Sequence, residues 1–90
     1  MELNRIKGKI AFISGASSGI GKAVAEKLAQ MGVNLILCAR RAEVLAQLKN
    51  QLEKEYAVEV ITLAFDVRHY QEVAKSIQSL PEKWRQIEIL

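Results

Sequence analysis

Three glycines, Gly15, Gly19 and Gly21, fall within the stretch Ser14-Gly15-Ala16-Ser17-Ser18-Gly19-Ile20-Gly21. Glycines set this closely leave backbone N–H groups bare, and what they can bind depends on the elements either side. Ahead of them, Ile10-Ala11-Phe12-Ile13 has the length and β-branched content of a buried strand; behind them, residues 20–31 have helical spacing. The loop therefore opens onto a helix N-terminus, where unpaired N–H groups and the positive end of the helix dipole converge. The chemistry of such a place is anion binding, and a phosphate is the matching guest. A plain turn needs one glycine or two; three, with serines between them, would leave donors facing water for no gain.

The spacing narrows the ligand. The pattern Gly-x-Gly-x-x-Gly fails, because Val24 stands where a third glycine should follow Gly19 and Gly21. The triphosphatase loop Gly-x-x-x-x-Gly-Lys-[Ser/Thr] matches Gly21 and Lys22, but Ala16 replaces its first glycine and Ala23 its magnesium-binding hydroxyl. Gly-x-x-x-Gly-x-Gly does fit, on Gly15, Gly19 and Gly21. With Ser14 ahead of it, the stretch resembles the cofactor loop of the short-chain dehydrogenase/reductase family, which usually has Thr at the Ser14 position. The resemblance implies cofactor-binding roles for Ser14, Gly15, Ser17, Ser18, Gly19, Ile20 and Gly21.

Positioning such a loop requires an alternating chain. A first strand is expected over residues 9–14. In the helix that follows, Ile20, Val24 and Leu28 recur every four residues with Ala25 and Ala29 beside them, while Lys22, Glu26, Lys27 and Gln30 face away. Gly32 ends that helix. Val33-Asn34-Leu35-Ile36-Leu37-Cys38 is a second strand, with the low alternation of one covered on both faces. A second helix turns Val44, Leu45, Leu48 and Leu52 inward, and residues 58–65 make a third strand. Val73, Ile77 and Leu80 mark a third helix that Pro81 stops, and Trp84, Ile87, Ile89 and Leu90 begin a fourth apolar run. The order β-α-β-α-β-α-β calls for an α/β fold, a doubly wound parallel sheet of the dinucleotide-binding (Rossmann) kind, of which residues 1–90 hold the N-terminal half as part of one domain.

In that fold a dinucleotide lies across the carboxyl ends of the first strands. The second strand ends at Arg40 and Arg41. A free ribose 2′-hydroxyl favours a carboxylate there, whereas two guanidinium groups match a 2′-phosphate. Both would sit at the start of a helix, where cations oppose the dipole and an arriving phosphate would reverse that cost. The resemblance implies the same, a preference for NADP(H). The third strand ends at Asp66-Val67. Asp66 can cap the lead-in turn of the third helix; the resemblance implies that it accepts the adenine amino group, with the Val67 backbone completing the edge. Arg68 and His69 follow where the family often has another acid or hydroxyl, which weakens the expected helix cap and leaves the adenine contact as it is.

Ninety residues, half of them apolar, hold one small core. The formal charge of +3 is spread among acids along helical segments, as on solvated faces, and no basic stripe for nucleic acid is present. Cys38 is the single cysteine and reads as a small buried hydrophobe; His69 stands without partners at metal-ligand spacing. No signal peptide and no run long enough to span a bilayer are visible, so a cytoplasmic location is expected. No catalytic residue is assigned. The family's Tyr-x-x-x-Lys is missing, since Tyr56 is followed by Val60 and Tyr70 by Ala74. The expected parent is a longer NADP(H)-dependent oxidoreductase acting on a small-molecule hydroxyl or carbonyl substrate, with room for homo-oligomerisation. The 90 residues alone are expected to be inactive; the alternative is a truncated, non-catalytic nucleotide-binding or interaction fragment. Residues 80–90, together with Ala39-Arg40-Arg41, are similar to the branch that oxidises 3-hydroxy acids such as serine or allo-threonine.

Overall fold

A strand covered on both faces needs apolar side chains at successive positions, and the second strand has them from Leu35 to Ala39, every one buried. In the structure, a computed structural model that describes residues 7–66, 68–85 and 87, the elements run β1 (Ile10–Ser14), α1 (Gly19–Gln30), β2 (Asn34–Ala39), α2 (Ala42–Glu55), β3 (Val60–Ala64) and α3 (Tyr70–Gln78). A short 3-10 turn, Glu82–Arg85, follows. The three strands are parallel in the order β1-β2-β3, with Ile10 beside Asn34 and Leu35 beside Val60.

Alternate residues of each strand feed two separate cores. On one face Ala11, Ile13, Leu35, Leu37 and Val60 meet Ala25 and Ala29 of α1 and Leu45, Leu48 and Leu52 of α2. On the other, Ile10, Ile36, Cys38 and Leu63 meet Val73 of α3 and Trp84. Helices on both faces of a parallel sheet make this the doubly wound α/β fold, here as β-α-β-α-β-α. Burying each of Leu35, Ile36 and Leu37 fully contributes about 2 kcal/mol relative to exposure. The fourth strand expected after Trp84 falls, apart from Ile87, outside the described residues. Trp84 itself belongs to the 3-10 turn and anchors the second core.

One expectation about α1 is corrected. Ile20 is 82% exposed and Val24 44%, whereas Ala25 and Ala29 are buried. The inner stripe is Gly21, Ala25 and Ala29, four residues apart, with Leu28 packed partly buried beside it. Closeness explains the choice: a Cβ on Gly21 would lie 2.2 Å from the Gly15 carbonyl oxygen. The helix enters too near the strand for larger residues to face inward, and its larger side chains turn aside.

Gly21→Ala should therefore destabilise the fold by about 2 kcal/mol, as overpacking does, while Gly19→Ala, whose Cβ meets nothing within 4 Å, should change stability by less than about 0.5 kcal/mol. Denaturant unfolding of the two variants checks this, and equal effects would contradict the close-approach account.

Candidate functional site

Parallel strands present their carboxyl ends at one edge of the sheet, so the segments after Ser14, Ala39 and Ala64 are brought together there. The loop after β1 turns on Gly15, whose φ of +64° suits a residue without Cβ. Ala16 is fully buried, and its N–H donates to the Cys38 carbonyl at 3.2 Å, tying the loop to the end of β2. Ser18 precedes α1 in extended conformation, but its hydroxyl does not cap the helix. It donates backwards to the Gly15 carbonyl at 2.8 Å, alongside its own N–H at 3.0 Å. The first turn of α1 is therefore capped by no Ser18 side-chain bond and carries no acid, and the space over Gly19 is open. These are the conditions in which helix N–H groups can receive an anion.

Two cavities flank the loop. One of about 390 Å³ is lined by Gly15 and Ser17 from the loop, Arg40 and Arg41 from the end of β2, and Asp66 from the end of β3, so three separate stretches of sequence meet there. The other, about 550 Å³, takes in Ser14, Ser18, Ile20 and Gly21 beside the β1 edge. Val67 lies outside the described residues. Cys38 lines the first cavity as a buried thiol, 1% exposed, with Sγ 3.7 Å from the Phe65 carbonyl; burial pushes its pKa up. It behaves as a small hydrophobe. Among the described residues no group of three or more His, Cys, Asp or Glu could hold a metal ion.

Charge gathers around Asp66. Its Oδ1 accepts the Arg68 backbone N–H at 2.9 Å, and its carbonyl accepts the His69 N–H at 2.9 Å, so it does cap the lead-in turn of α3. His69 occupies the cap position of that helix and makes no side-chain cap bond. The Arg68 side chain also grips the carboxylate: Nη2 lies 2.6 Å from Oδ2, and Nε sits 3.1 Å and 3.2 Å from the two oxygens. Arg40 Nε approaches Oδ2 only to 4.0 Å. Arg68, by side-chain and backbone bonds, and Arg40 by its charge hold the Asp66 carboxyl well below the usual carboxylate range. Arg68, expected from the sequence only to weaken the helix cap, forms a fork with Asp66. An acid followed two residues later by an arginine in a turn is the signal that could have revealed it, since Asp side chains bond the backbone two residues on. Arg40 remains mostly exposed beside the cavity, and no comparable grip on it is seen among the described residues.

The sequence model of the short chain dehydrogenases matches residues 9–90. Over 89 residues the chain is 39% identical to the NADP-dependent 3-hydroxy acid dehydrogenase of Schizosaccharomyces pombe, covering 98% of this chain and 34% of that protein. L-Sorbose reductase from Gluconobacter frateurii, solved in complex with NADPH and L-sorbose, matches with a TM-score of 0.76 and 38% identity, over 82% of this chain and 28% of that one. An alcohol dehydrogenase from the archaeon Thermococcus sibiricus, complexed with 5-hydroxy-NADP, gives a TM-score of 0.74 at 38% identity, over 80% and 31% of the two chains. The chain spans about a third of the length of the curated relatives it matches. Glycine spacing, parallel sheet and family match agree, and the chain belongs to the short-chain dehydrogenase family.

Proposed function

We propose that residues 1–90 are the N-terminal part of one NADP-binding domain, holding the adenosine and pyrophosphate half of the cofactor in an NADP(H)-dependent oxidoreductase. The observation that carries the reading is Arg40, an exposed guanidinium beside the cavity that the glycine loop and Asp66 also line. Its planar fork suits a ribose 2′-phosphate, with Arg41 adding charge at the start of α2. Open backbone at Gly19 and the uncapped first turn of α1 suit the pyrophosphate. Asp66, ionised and fixed, suits the amino edge of the adenine.

When bound, NADP(H) supplies the hydride that moves between its nicotinamide and a hydroxyl or carbonyl carbon. This chain's own residues bind and orient the other end of the molecule, and the proton donor is not among those assigned. A short 3-hydroxy acid is the favoured substrate class, on the likeness to the Schizosaccharomyces pombe enzyme and the resemblance of residues 80–90, with Ala39-Arg40-Arg41, to that branch of the family. A reducing cytoplasm suits a chain whose single cysteine is a buried thiol; no helix among the described residues is long and apolar enough to cross a membrane.

Two variants of the natural gene product test the reading by calorimetric titration. Arg40→Ala should weaken NADP(H) binding by about tenfold or more, the worth of a charge-assisted hydrogen bond, and NAD(H) binding by about twofold at most; equal weakening of both would remove the 2′-phosphate assignment. Gly19→Ala should weaken both dinucleotides by a similar factor without lowering thermal stability, because its new methyl projects into space only a ligand would fill. Unchanged binding in that variant would place the pyrophosphate elsewhere.

A further inference from the structure

Asp66 stands between two guanidinium groups and serves them unequally. Arg68 takes it with three side-chain contacts of 2.6–3.2 Å and one backbone N–H. Arg40 stays 4.0 Å away. An ionised carboxylate offers about four acceptor sites, and Arg68 meets them with three nitrogens, its backbone N, Nε and Nη2, Nε being shared between the two oxygens, so about one site is left. It does so from outside, since Asp66 lines the 390 Å³ cavity and Arg68 does not.

The grip has two consequences. Turning the Asp66 side chain would break a backbone bond and a forked side-chain bond together, so the carboxylate is held in one orientation with only 16% of its side chain exposed. Like any aspartate at neutral pH the carboxylate is ionised, so it has no proton to donate and acts as an acceptor only, and Arg68 fixes where its acceptor sites point. Without Arg68, the nearest remaining cation among the described residues is Arg40, and the carboxylate would be drawn that way.

This inference rests on the cofactor reading above. We propose that Arg68 is the positioning residue of the base subsite: it holds Asp66 as a fixed, acceptor-only contact on the cavity wall, so that the site takes a purine edge presenting an amino group and rejects one presenting a carbonyl oxygen. The warrant is lone-pair chemistry. An amino group donates to the free acceptor site, whereas an oxo group in the same place sets lone pairs against a carboxylate with nothing between them.

The test uses the natural gene product, titrated calorimetrically with NADP+ and with its deamino analogue, in which the 6-amino group of the adenine is an oxo group. The wild-type protein should favour NADP+ by about tenfold or more. Arg68→Ala should shrink that ratio to about twofold or less while leaving the circular dichroism spectrum unchanged, as expected for a side chain 77% exposed. Arg68→Gln provides the same measurement should the alanine variant fold poorly. Arg68→Lys, which keeps the charge but loses the fork, should recover only part of the ratio.

A purely structural role for Arg68 would lower both affinities by one factor, leave the ratio unmoved, and overturn the inference. A wild-type ratio near one, or full recovery by lysine, would overturn it as well. A wild-type protein that binds neither compound would instead overturn the cofactor reading, and is told apart because the failure precedes any variant.

Discussion

Nothing larger than a hydrogen atom fits between the Cα of Gly21 and the carbonyl of Gly15, where a Cβ would come within 2.2 Å of the oxygen. That closeness sets where α1 begins, and much else depends on it. A helix that starts this near a strand must keep its inner face small, and Ala25 and Ala29 continue the stripe that Gly21 opens. The same approach turns the loop back towards β2, where the Ala16 N–H meets the Cys38 carbonyl. The helix N-terminus is thereby aimed at the carboxyl edge of the sheet. It lies beside the segment that carries Arg40 and Arg41.

The sheet does the rest by being parallel. Each return from one strand to the next passes through a helix, so every strand starts at one edge and finishes at the other. Loop, arginines and aspartate are far apart in sequence, yet all follow strand ends and so share an edge. Burial on both faces makes β2 the centre of this arrangement. Its odd-numbered residues, Leu35 and Leu37, pack beneath α1 and α2, and its even-numbered ones, Ile36 and Cys38, pack beneath α3 and Trp84. A sheet covered in this way has its polar chemistry left only at its ends.

The alternation of strand and helix was legible because each strand is a short apolar run and each helix carries a repeat of leucine, valine or alanine. That Gly15, Arg40 and Asp66 would share one edge was legible as well, since each lies within two residues of a strand end, and all three line one cavity. What periodicity could not tell was nearness. Ile20, Val24 and Leu28 form the stronger apolar repeat, but the helix seats on its smallest side chains because the backbone of the loop is in the way. Arg68 was read as a missing cap residue, and its side chain instead folds back two positions onto Asp66. A contact of that kind depends on the shape of one turn, which spacing along the chain does not encode. Val67, and the fourth strand apart from Ile87, lie outside the described residues.

The charges around the cavity explain why the site suits an anion. Arg40, Arg41 and Arg68 stand against one carboxylate, Asp66, and Arg68 takes most of that carboxylate for itself. Arg40 and Arg41 lie at the start of α2, where the helix dipole is unfavourable to cations, and Glu43 in the first turn offsets only part of this. Arg40 is left with a single ion pair to Asp66 at 4.0 Å. A phosphate placed between the arginines and the open first turn of α1 would answer both kinds of positive end at once. A ligand bound there by the folded state alone would stabilise the whole fold through that contact.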